Sequence, residues 1–82
     1  MSGSGFMGAF AISRSGHDKG ECYVITGVES DTFVLCVNGD NRQTAKPKRK
    51  NIRHLLITNS RTAASSDLEI KKAIKDFRKG RI

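Results

Sequence analysis

The chain has 82 residues, of which 37% are hydrophobic and 28% charged. That composition suits one small globular domain with a thin core better than a disordered segment. No stretch approaches the ~18 consecutive apolar residues of a membrane span, and no apolar run follows the N-terminus as in a secretory signal. A soluble, cytoplasmic protein with no membrane partner is therefore expected. The net charge of +7 is segregated: residues 1–45 hold three cations against five anions, and residues 46–82 hold twelve against three. A surface that only had to be soluble would intersperse the signs. Clustered cations instead match a polyanion such as a nucleic-acid backbone, which releases counterions when it is neutralised.

In chain order, residues 1–6, "MSGSGF", read as an expression scar or disordered start. A barrel is expected over 7–60 and a helix over 66–80. After an apolar start, "AISRSGHDKGE" is rich in turn residues, with Gly16 and Gly20 flanking His17, Asp18 and Lys19. "CYVITGV" reads as a strand on its Tyr, Val, Ile and Thr. "ESD" breaks it, and "TFVLCVN" reads as the next strand. Asn38-Gly39 closes that strand as a tight hairpin turn. A third short strand is expected near "RQTA". Pro47 has no N–H for a ladder, so the basic run that follows should start as an exposed loop or an edge. "IRHLLIT" reads as a further strand. Four or five short strands joined by tight turns predict a mainly β fold, a small barrel whose closure removes exposed edges.

The last segment changes period. Ser66 stands three residues before Glu69, as in a capping box, and Gly80 stands where a helix C-terminus favours positive φ. Between them Ile70, Ala73, Ile74 and Phe77 fall on one face, with Lys71, Lys72, Lys75, Arg78 and Lys79 beside it. The spacing predicts an amphipathic α-helix that must dock its apolar stripe, because about 13 residues are marginally helical alone.

The candidate site is the basic run. Lys46, Lys48 and Lys50 read as mobile point charges for phosphate, and Arg49, Arg53 and Arg42 as forks able to grip phosphate or a guanine edge in two places. Asn51 either bonds a base or turns the chain. His54 reads as a surface contact or a half-buried ring. Lys19, in the glycine-flanked turn, adds a further cation near backbone N–H groups, and Lys71 and Lys75 are either RNA contacts or a solvated face. Tyr23, Phe33 and Phe77 are needed mainly by the core.

Cys22 and Cys36 lack the two-to-four-residue ligand spacing of a structural zinc site and read as reduced, buried thiols, so no metal and no cofactor is expected. Ser15, His17 and Asp18 are too close in sequence to converge as a triad, and no phosphate-cradling GKS or GKT loop is present. The chain reads as a binding module, not an enzyme. With no Trp and one Tyr it lacks the aromatics of a proline-peptide groove or a methyl-lysine cage. The alternative is a protein-interaction adaptor docking through the helix.

The order "SGHDKG", "YVITGVESDTFVLCVNGDNR", "KRKNIRHLLIT" resembles the KOW-motif domains. Within these it resembles the large-subunit ribosomal protein fourteen family of eukaryotic and archaeal type. The likeness spans Ile12 to Thr58 and is carried by Gly16, Asp18, Gly20, Val24, Ile25, Asp31, Val34, Val37, Gly39, Arg49, Asn51, His54, Leu55 and Thr58. It implies an SH3-like β-barrel that binds ribosomal RNA in translation, monomeric when free and able to neighbour ribosomal proteins.

Overall fold

A computed structural model describes residues 5–80. Most of the expected scar, residues 1–4, lies outside the described residues. The elements are β1 (Ala9–Ser13), β2 (Cys22–Val28), β3 (Phe33–Val37), β4 (Lys48–Asn51), a 3-10 turn (Ile52–His54), β5 (Leu55–Arg61) and α1 (Asp67–Gly80). All strand pairs are antiparallel, in the order β4-β3-β2-β1-β5.

That order forces curvature. The two edge strands, β4 and β5, are consecutive in the chain and are joined only by the three residues of the 3-10 turn. Three residues reach roughly 10 Å, whereas the edges of a flat five-stranded sheet lie about 19 Å apart. The sheet therefore curls into a small barrel-like form. Register shifts between Ala9 and Ala11 and between Ile25 and Gly27 mark bulges where the strands bend.

The curl makes two apolar layers. Inside it lie Ala9, Ala11, Tyr23, Ile25, Val34, Cys36 and Leu55. On the outer face Phe10, Cys22, Val24 and Val37 meet Ile70 and Ile74 of α1. The period-2 alternation of a strand explains the split, since Phe10 and Ala11 point to opposite faces. Both faces of β1 and β2 are thus covered, which is why "AFAI" and "CYVI" are almost wholly apolar. The stripe of α1 is spent on the sheet: Ile70 and Ile74 are buried, and Phe77 stacks on Phe10 with ring centroids 4.3 Å apart. At ~25 cal/mol per Å2 of apolar surface, this burial stabilises a helix too short to persist alone.

The helix N-terminus has the expected reciprocal cap. The Glu69 N–H donates to Ser66 Oγ (3.2 Å), and Glu69 Oε1 accepts from the N–H groups of Ser65 (3.2 Å) and Ser66 (3.3 Å). At the other end the helix runs through Gly80 rather than stopping before it.

"RQTA" is not a strand. Residues 38–47 form one long connection from β3 to β4, and Thr44 is tied to the helix by its N–H on Asp67 Oδ1 (2.7 Å). Nor is Asn38-Gly39 a two-residue hairpin. Only Gly39 has positive φ (+77°), while Asn38 Oδ1 accepts from the N–H groups of Asp40 and Arg42. Gly39 lies under the start of α1, where a Cβ would come within 2.2 Å of the Asp67 carbonyl oxygen. Conformation and space both require glycine there. "IRHLLIT" divides into the 3-10 turn and β5.

Candidate nucleic-acid interface

The basic run is the edge strand β4, not a loop, and this changes what its cations can do. Lys48 pairs with Cys36 and Lys50 with Val34 across the β3–β4 ladder. Cys36 and Val34 belong to the inner layer, so the two lysines share their side of the sheet and Arg49 takes the other. Lys50 is 8% exposed. The expectation that it is a mobile phosphate-binding charge is corrected: its ammonium donates to both oxygens of Asp18 (3.1 and 3.0 Å) and to Ser13 Oγ (3.0 Å).

Asp18 is the hub of this arrangement. Its Oδ1 also accepts from the Ser13 hydroxyl (2.9 Å) and its Oδ2 from the Tyr23 hydroxyl (2.8 Å), and Lys48 Nζ stands 3.4 Å from Oδ2. Burial alone would raise the carboxyl pKa. The hydrogen bonds from Tyr23, Lys50 and Ser13, with the charge of Lys50, outweigh burial and hold Asp18 well below the usual carboxylate range. Burial first, and then the Asp18 carboxylate, push Tyr23 above its ordinary value, so the phenol stays a donor. A serine, a lysine, a tyrosine and an aspartate meet here, but each polar atom has its partner and Ser13 is 2% exposed. The cluster acts as a latch between the β1–β2 turn and β4.

The remaining candidates divide. Arg49 is half exposed, paired with Glu29 and lying 3.6 Å over the Phe33 ring. Asn51 turns the chain: its Oδ1 caps the 3-10 turn by accepting from the Arg53 N–H (2.9 Å). Arg53 and His54 are exposed on that turn, and Lys46 is exposed before Pro47. Lys19, Arg42 and Lys48 converge on one open cleft of 300 Å3 between the β1–β2 turn and the 38–47 connection. Lys71 and Lys75 line an adjoining cleft with Arg78, and Glu21 borders both. A groove of 570 Å3 lined by residues such as Met7, Leu35, Pro47 and Ala63 has no charged residue in its wall, so it offers a phosphate no counter-charge.

The sequence reading missed Asp18, Ser13 and Tyr23 as partners of the basic run. The one usable signal was a single acid held between two glycines in a turn, beside the chain's only tyrosine. Cys22 and Cys36 are buried in different apolar layers, and burial pushes the Cys36 thiol up to about 12. No helix among the described residues is long and apolar enough to cross a membrane. A scan of the chain against protein-family models finds no match, and a search of the curated proteins finds none either.

Proposed function

We propose that this chain is an RNA-binding module that grips the sugar–phosphate backbone of structured RNA. Ribosomal RNA is the class favoured by the KOW-like residues, and a cytoplasmic, ribosome-associated ribonucleoprotein is the setting. One observation carries the reading. Among the described residues, Arg49 is paired with Glu29 and Lys50 with Asp18, which Lys48 approaches without a hydrogen bond, while Lys19, Arg42, Lys46, Arg53, Lys71 and Lys75 stay exposed with no carboxylate partner. Cations held apart from acids on connections anchored by strands and on a docked helix lose less ordering entropy when they meet phosphate than those of a free tail. The lysines supply point charge, and Arg42 and Arg53 can each bind two oxygens.

A partner protein docking on α1 would meet its basic side, because the apolar stripe already faces the sheet. That favours RNA over the adaptor alternative. The test is the salt dependence of binding to an RNA hairpin. Five neutralised phosphates give a slope of log K against log[salt] near −4.5 on a duplex. A slope near zero, or binding that survives nuclease treatment of the ligand, overturns the reading.

A further inference from the structure

Asp18 carries one negative charge and has two ammonium groups beside it. A carboxylate offers about four acceptor positions, and Asp18 fills them with Ser13, Tyr23 and two contacts from Lys50. Lys48 Nζ, 3.4 Å away, is attracted but makes no hydrogen bond to it. The pairing of Lys50 with Asp18 neutralises both, so the charge of Lys48 is surplus and its three N–H donors are unused among the described residues. Its side chain is 33% exposed and lines the 300 Å3 cleft with Lys19 and Arg42, which are both exposed. Glu21 is the one other carboxylate in the cleft wall. Three cations against one unneutralised acid leave a net charge of +2 around a concave space, and the ladder and the latch fix Lys48 on one side of it.

We propose that this cleft is a discrete phosphoryl-anion subsite, with Lys48 and Arg42 as its main ligands and Lys19 at its rim. The biological ligand, one phosphate of an RNA backbone, rests on the RNA-binding reading above; the anion chemistry of the cleft does not. Lys48 contributes a positioned point charge. Arg42 contributes a planar fork on the 38–47 connection, whose backbone is braced by Asn38 (Arg42 N–H to Asn38 Oδ1, 3.0 Å). The site thus differs from the adjoining cleft of the helix lysines, where Lys71, Lys75 and Arg78 face two carboxylates, Glu21 and Asp40, in the same wall.

The experiment is a pair of amide NMR titrations of the full chain at constant ionic strength, one with inorganic phosphate and one with an RNA hairpin, against chloride as the control anion. Phosphate is expected to shift the amides of Lys19, Glu21, Arg42 and Lys48 along one saturable curve. Arg42→Gln, in an exposed connection, and Lys48→Met should each weaken that binding about tenfold, the size of one charge-assisted hydrogen bond. Lys72→Gln, an exposed helix cation that lines neither cleft, should leave it unchanged. Non-saturating shifts, shifts matched by chloride, or unchanged affinity in Arg42→Gln overturn the subsite. Saturable phosphate binding in the cleft with no RNA binding supports the subsite as a site for a free phosphorylated ligand and sinks the RNA reading. RNA binding that leaves the cleft amides unmoved does the reverse.

Discussion

Strand β4 and helix α1 are both runs of lysine and arginine, and the fold treats them differently. In β4 the two-residue period sends Lys48 and Lys50 to one side, opposite Cys36 and Val34, and a four-residue strand has no room to turn them both to solvent. Lys50 is buried, and an acid 32 positions away must meet it. In α1 the 3.6-residue period lets Ile70, Ile74 and Phe77 go inward while Lys71, Lys72, Lys75, Arg78 and Lys79 all stay outside. Local density of positive charge therefore says little about availability; the period of the element that carries it decides.

The largest expected effect comes from breaking the latch. Asp18→Ala leaves Lys50 buried without its carboxylate, and removing one partner of a buried pair costs about 3–5 kcal/mol. Urea denaturation should show a loss of unfolding free energy of that order, and a loss under about 1 kcal/mol would mean that the pair does not hold β4. The same latch predicts an acid limb. The folded pKa of Asp18 lies below its unfolded value, so its contribution is complete above the unfolded value of about 4 and is lost as pH falls toward the lowered folded value. Wild-type stability should decline with falling pH across that window, and Asp18→Asn should flatten the decline.

Next in size is the seam under the helix. Ile70 is fully buried between α1 and the outer face of the sheet, and Ile70→Ala should cost about 3 kcal/mol. Every charge is retained, so under conditions where the variant is folded the salt slope of RNA binding should match wild type. A changed slope in a folded variant would show that the packing of α1, and not only its lysines, shapes the RNA surface.

The two basic regions can then be compared directly. Lys71→Gln with Lys75→Gln should leave stability within about 0.5 kcal/mol, since both side chains are exposed. The salt slope of RNA binding should become shallower by about 2 on a duplex. Lys50→Gln should instead act first on stability, because it leaves Asp18 without its buried partner. A loss under about 1 kcal/mol in Lys50→Gln would end the contrast between strand and helix.

Much of this was legible in the residues. β2 and β3 declare themselves through β-branched and aromatic runs, and α1 through its cap and its stripe. β1 is harder to read: "AFAIS" is short, half alanine by its apolar count, and buried on both faces, so it shows no alternation. "RQTA" misleads because Thr44 sits in a turn, closed by the Lys46 N–H on the Gln43 carbonyl oxygen and tied to Asp67, a contact 23 residues away in sequence. The fate of Lys50 is set by Asp18 and Ser13, 32 and 37 residues off, and no local pattern in "KPKRKN" announces it. Besides the acid held between Gly16 and Gly20, a hint was that positions 48 and 50 of an edge strand must share a face.

The smallest effect sharpens the comparison at the start of α1. Ser66 Oγ takes the Glu69 N–H, and Glu69 takes the N–H groups of Ser65 and Ser66, which hold its exposed carboxylate below the ordinary range. Asp67, one residue on, is engaged elsewhere and accepts from Thr44 in the 38–47 connection. Ser66→Ala removes one half of the cap and should cost about 1 kcal/mol. Hydrogen exchange should locate the loss. The amides of residues 67–71 and of Thr44 should exchange faster, because a fraying first turn releases Asp67 from the connection that carries Arg42. The amides of β4 should keep their protection relative to the global opening, since Asp18 and the β3 ladder hold that strand independently of the helix. Faster exchange in β4 would mean that latch and helix are one cooperative unit, and that the two basic regions answer to the same contacts.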